Sequence, residues 1–145
     1  MTDQNEAIID GAIRWALEHL GSQDYPFLCY GFLEDAYELG NQIELDGKGS
    51  TAKEAADAYG ALPGPPRKGS YVFYDCSGAF NGDFRNWGHI GLALGDGCVV
   101  HAWDGTVRID TLDAIERLSL PGWTPPHYLG YAPPELILQG MKPKS

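Results

Sequence analysis

Cysteine is scarce in this chain, with three in 145 residues and no Cys-x-x-Cys spacing. An odd number without paired spacing excludes a disulfide framework and suits synthesis in a reducing compartment. The single Cys98-x-x-His101 run, if it is a strand, points its two side chains to opposite faces, so no metal site is expected. Basic residues are also few, 10 against 20 acidic, for a net charge of −10. Such a surface excludes nucleic-acid or anionic-membrane partners, because phosphate recognition needs positive charge. Long apolar runs are missing too. None approaches the roughly 20 residues of a membrane span, so no membrane span is expected. The opening Met1-Thr2-Asp3-Gln4-Asn5-Glu6 has neither the basic nor the apolar region of a signal peptide, and synthesis in the cytoplasm without one is the expectation.

The length suits one domain, spanning residues 1–145, with a core large enough to need no staples. Its organisation is helical first and sheet-like later. Ile9, Ala12, Ile13, Ala16, Leu17 and Leu20 keep helical spacing, with Asp3-x-x-Glu6 as a capping box and Gly21 as the stop. A second helix runs from Cys29 to Gly40-Asn41, burying Phe32, Leu33 and Ala36. A third spans 51–59 behind the capping box Thr51-x-x-Glu54. After a Pro-rich break at 61–68, strands are predicted at about 71–74, 89–94, 98–103, 107–110 and 128–132, with a short helix around 112–118. Residues 79–86 read as a loop and 141–145 as a frayed tail. The fold class is therefore α+β, with N-terminal helices packed on a mostly antiparallel sheet of about five strands.

Within this frame Cys29, His89 and His101 are the candidate catalytic residues. Cys29 falls where the irregular Tyr25-Pro26-Phe27-Leu28 stretch hands over to a helix, whose free N–H groups and positive dipole end stabilise a thiolate. The histidines flank a Gly-rich turn, and parity decides whether they meet. A two-residue Asp96-Gly97 turn would put them on opposite faces, whereas a three-residue loop, Gly95 to Gly97, sets His89 across from Trp103 and Gly91 across from His101. The odd loop is the reading adopted. It makes the imidazoles diagonal neighbours that approach across Gly91, with Ile90, Leu92, Leu94, Cys98, Val100 and Ala102 on the opposite, core-facing side.

Cys29-Tyr30-Gly31-Phe32, the strand at 71–74, Gly88-His89-Ile90-Gly91 and His101 together resemble the NlpC-type cell-wall cysteine peptidases. The histidine hairpin is the specific part of the match. Leu28 and Tyr30 depart from that family's usual Asp and Ser around the nucleophile. Asp75-Cys76-Ser77-Gly78 copies the family's nucleophile tetrapeptide literally, yet it follows a strand and lies only thirteen positions before His89, too few for a helix to run and return. Cys29 is therefore preferred over Cys76.

The resemblance implies a papain-like fold and a thioester mechanism, with His89 as base and His101 holding its tautomer. It implies Tyr25 as a second oxyanion donor beside the backbone N–H of Cys29. Trp87, which flanks the His89 strand, and Trp103, on the histidine face, are the other candidate substrate-binding residues. The implied substrate is a peptidoglycan stem or cross-linking peptide, cut at a γ-D-glutamyl or neighbouring bond, with no cofactor. Delivery to the wall by a dedicated secretion system or a phage, and an immunity or inhibitor protein as partner, belong to the same expectation. The alternatives are a muramoyl-alanine amidase or acyltransferase on the same scaffold, or a non-catalytic binding module that kept the fold.

Overall fold

Apolar spacing of three and four in the first third of the chain, giving way to strand-like stretches, translates into three helices laid on one side of a sheet. The computed structural model describes residues 3–144. Helix α1 (Asp3–Glu18) buries Ile8, Ile9, Ala12 and Ala16, while Leu17 and Leu20, which share the helical spacing, are 38% and 45% exposed. The other two helices are α2 (Cys29–Leu39) and α3 (Ala52–Tyr59). Between them lies the two-residue strand β1 (Ile43–Glu44). Gly11 has a steric reason to be glycine, because a β-carbon there would sit 2.9 Å from the Gly40 carbonyl oxygen and collide with Asn41. That close approach lets the Asn41 side chain donate to the carbonyls of Ile8 (2.9 Å) and Tyr37 (3.0 Å), tying α1 to the end of α2.

Helix α3 is capped as its sequence suggests. The Thr51 hydroxyl accepts from the Glu54 N–H at 3.1 Å, although the Glu54 carboxylate reaches back to the Ser50 N–H rather than to that of Thr51.

The remaining strands are β2 (Tyr71–Asp75), β3 (Ser77–Phe80), β4 (Asp83–Asn86), β5 (His89–Ala93), β6 (Cys98–Trp103), β7 (Thr106–Thr111), β8 (His127–Ala132) and β9 (Lys142–Pro143). Five of them form an antiparallel sheet in the order β7-β6-β5-β2-β8, so the α+β class read from the sequence holds. On one face Tyr71, Phe73, Ile90, Leu92, Val100 and Ala102 pack under the three helices. On the other, Val72, Tyr74, Ala93 and Val99 pack with Ile115 of the short helix α4 (Leu112–Ile115). A further short helix, α5 (Pro134–Ile137), follows β8.

Two segments differ from the sequence reading. Residues 79–86 belong to a hairpin, β3 paired with β4, closed by Asn81-Gly82 with φ of 53° and 77°. Two successive left-handed residues are what a tight hairpin turn demands, and Asn-Gly supplies them at least cost. Residues 141–144 are not frayed: β9 pairs with β1, and the Lys144 N–H donates to the Gln42 carbonyl at 3.0 Å, while Ser145 lies outside the described residues.

Candidate active site

The β5–β6 hairpin has the register of the three-residue loop. Leu92 lies opposite Val100 and Ala93 opposite Val99, and the Leu94 N–H closes the loop on the Cys98 carbonyl at 3.0 Å. Both imidazoles therefore project from the face opposite the helices. A β-carbon on Gly91 would come within 3.2 Å of that of His101 and would strike Val99, so the strand is bare where the rings converge. His89 Nε2 lies 2.8 Å from His101 Nδ1, the ring planes crossing at 76°. Trp103 and Tyr74 stand beside His89, with ring centroids 5.1 and 6.1 Å away. His89 is 3% exposed and His101 fully buried.

The chain of contacts runs one residue further than the sequence reading took it. His101 Nε2 is 2.8 Å from Asp110 Oδ2 on β7, and Arg108 holds that carboxylate through Nε at 2.8 Å and through Nη2, which donates to Oδ1 at 3.0 Å. A signal was available. β7 pairs with β6 so that Arg108 faces His101, which makes Asp110 the diagonal neighbour on the same face.

This carboxylate fixes the protons. A carboxylate accepts only, so His101 carries its proton on Nε2 and offers a bare Nδ1; His89 must then donate from Nε2, leaving Nδ1 as its free base. Burial pushes the Asp110 pKa up, but the hydrogen bonds from His101 and Arg108 outweigh it and hold the group below the ordinary carboxylate range. Burial holds both imidazoles below their ordinary values, His89 well below, with the neighbouring ring adding to the effect there. In His101 the Asp110 contact opposes the shift without cancelling it. Both rings are neutral at pH 7.

Cys29 opens α2, whose first turn starts with the Phe32 N–H donating to the Leu28 carbonyl at 2.9 Å. The residue is half-buried and packs against the helix-side core. Thiol and imidazole line one cleft of about 380 Å³ at the start of β5, and no direct hydrogen bond joins the Cys29 sulfur to the His89 ring. Burial pushes the Cys29 thiol up to about 11, although the N–H groups of Ile90, Tyr30 and Cys29 itself favour the thiolate. Desolvation thus outweighs the helix terminus, and the thiol rests protonated.

Cys76 lines the same cleft in a different local setting. It sits between β2 and β3 with no helix behind it, is buried, and donates its S–H to the Thr124 carbonyl at 3.3 Å. Burial, then the nearby Cys29, push its pKa up to about 11 as well.

Trp87 and Trp103 both line the cleft. Tyr25 does not: its hydroxyl donates to Asp35 at 2.7 Å and its ring packs edge-on against Phe32. The N–H groups of Tyr30 and Gly31 precede the first helical hydrogen bond and are the remaining donors beside Cys29. The His19 Nδ1–H donates to the Trp15 carbonyl (2.7 Å) and His127 is exposed; neither lines the cleft. No family model matches the chain, and no curated protein matches it.

Proposed function

We propose that this chain is a thiol-dependent hydrolase, a cysteine peptidase or amidase acting through a thioester, with Cys29 as nucleophile, His89 as general base and His101 as its orienting partner. The observation that carries the reading is the buried chain from Asp110 through His101 to His89, which leaves a bare, uncharged Nδ1 on a ring lining the same cleft as a helix-opening thiol.

In the forward step the Cys29 sulfur attacks the carbonyl carbon as its proton passes to His89 Nδ1, and the oxyanion is met by N–H groups at the start of α2. The C–N bond then breaks, the amine takes the proton from His89, and the acyl group remains as a thioester. Water attacks that thioester, giving its proton to His89; the acid departs, and the proton returns to the Cys29 sulfur.

Peptidoglycan stem or cross-linking peptides are the substrate that the sequence resemblance supplies, reached in the wall by dedicated delivery. Mass spectrometry of muropeptides after digestion tests the reading. Native protein is expected to shorten stem or cross-linked peptides, and Cys29→Ser to leave them intact; equal products from both proteins would overturn it.

A further inference from the structure

We propose that the cleft takes an uncharged, apolar acyl or aminoacyl group, aliphatic or aromatic, and discriminates against a group bearing a free carboxylate. This rests on the reading of Cys29 as the nucleophile, and among wall peptides it selects bonds with an apolar acyl side over the γ-D-glutamyl bond that the resemblance implies. The walls are Phe27, Leu28, Phe80, Trp87, Trp103 and Trp123, together with smaller residues. Neither lysine nor arginine is among the residues lining the cleft, and Asp104 supplies the only carboxylate there.

The cations nearby are engaged. Arg85 lies over the Trp87 ring, 3.9 Å from its centroid, and 3.3 Å from Asp83. Lys53 is held by Asp57 at 3.2 Å and Asp75 at 3.7 Å, and Arg108 by Asp110. A carboxylate entering such a cleft meets no cationic side chain in the lining, and with the N–H groups at the start of α2 taken up by the oxyanion it would lose hydration without a charged partner, against a net charge of −10.

The apolar rim has a second mark of use. Phe27 and Leu28 remain 62% and 53% exposed directly before Cys29, so the cleft has an apolar rim open to solvent. Phe27 is moreover held at φ 57°, a left-handed conformation unfavourable for an aromatic residue, and its ring stands 4.9 Å from that of Phe80 and 6.1 Å from that of Trp123. Strain of this kind persists where the surroundings fix it, and here it keeps an aromatic surface open on the cleft. A volume of about 380 Å³ suits one side chain or a short acyl chain.

The test uses the intact protein with three fluorogenic coumarin amides, N-acetyl-phenylalanyl, N-acetyl-leucyl and γ-glutamyl. It adds a parallel binding titration of Cys29→Ala, read by tryptophan fluorescence, with N-acetyl-phenylalaninamide and γ-glutamyl amide. The apolar amides are expected to exceed the γ-glutamyl amide in kcat/KM by about tenfold or more, and the phenylalanine amide alone to change the fluorescence. Leu28→Arg, which puts a cation on the exposed rim, is expected to narrow the gap; a gap that does not narrow overturns discrimination by charge. Turnover with equal or reversed preference overturns the apolar assignment and leaves catalysis standing. Selective binding without turnover by native protein upholds the assignment and removes the acyl-transfer reading, and the absence of both removes the two together.

Discussion

Asp110 is where a single residue decides the chemistry available to three others. Held by Arg108, its carboxylate stays ionised and sets the proton on His101, and through it the free nitrogen of His89. Asp110→Ala is expected to lower kcat/KM by about 10- to 100-fold with the fold retained, Arg108→Ala by less, because the carboxylate survives its loss. Steady-state kinetics beside circular dichroism checks the pair, and full activity in Asp110→Ala would remove the carboxylate from the mechanism. His89→Ala should abolish turnover, whereas His101→Gln, whose amide can both accept and donate, should retain part of it.

The pH profile follows from the same residues. His89 must be neutral to act as base, and burial holds its pKa well below the ordinary 6.5, so activity should persist as pH falls through 6.5 and fail only further down. Cys29 should in turn react slowly with iodoacetamide at pH 7 and faster as pH rises toward about 11. Fast labelling at neutral pH would mean a thiolate is already present.

At the scale of elements, the β3–β4 hairpin matters most to the cleft. It carries Phe80 into the wall, and the Trp87 indole N–H secures it by donating to the Gly78 carbonyl at 3.1 Å. Gly82→Ala, at φ 77°, should cost about 1 kcal/mol or more, measured by denaturant unfolding, whereas Phe80→Ala should raise KM more than it lowers kcat. This hairpin was poorly legible in the sequence. Its strands are short and polar without alternation, so the pattern read as loop, and the one sound signal, Asn81-Gly82, went unused.

The β5–β6 hairpin was legible because parity left two registers and only one let the imidazoles meet. Asp110 escaped because β7 was placed without a register against β6, and charge alone marks it as surface. The Cys29 position was legible and its ionisation was not, since a helix start is local while the burial that outweighs it comes from strands far along the chain.

The molecule as a whole hides two imidazoles beneath one face of its sheet, and its stability should carry their signature. An unfolded histidine takes up a proton below about pH 6.5, and these two resist doing so when folded. The unfolded chain therefore binds more protons, and stability, complete above that value, declines as pH drops through it by up to about 1.4 kcal/mol per pH unit for each excluded proton. Asp110 acts in a lower window: with its folded pKa depressed below 3.8, its contribution is present above that value and lost as pH falls through the depressed one. Lower pH also relieves the repulsion within a chain of net charge −10, so the informative quantity is the difference in Tm between native protein and a His89→Asn/His101→Asn variant. That difference should shift against the native protein from pH 7 to 5, and a constant difference would mean the rings are not held neutral.

The protonated resting thiol has one more consequence, for durability. Peroxides attack thiolate rather than thiol, and burial that pushes the Cys29 thiol up to about 11 leaves little of it ionised at neutral pH. In the proposed role, a Cys29 that becomes thiolate only as a carbonyl is attacked should form sulfenic acid more slowly than a thiol that stands ionised, so peroxide should inactivate this chain slowly.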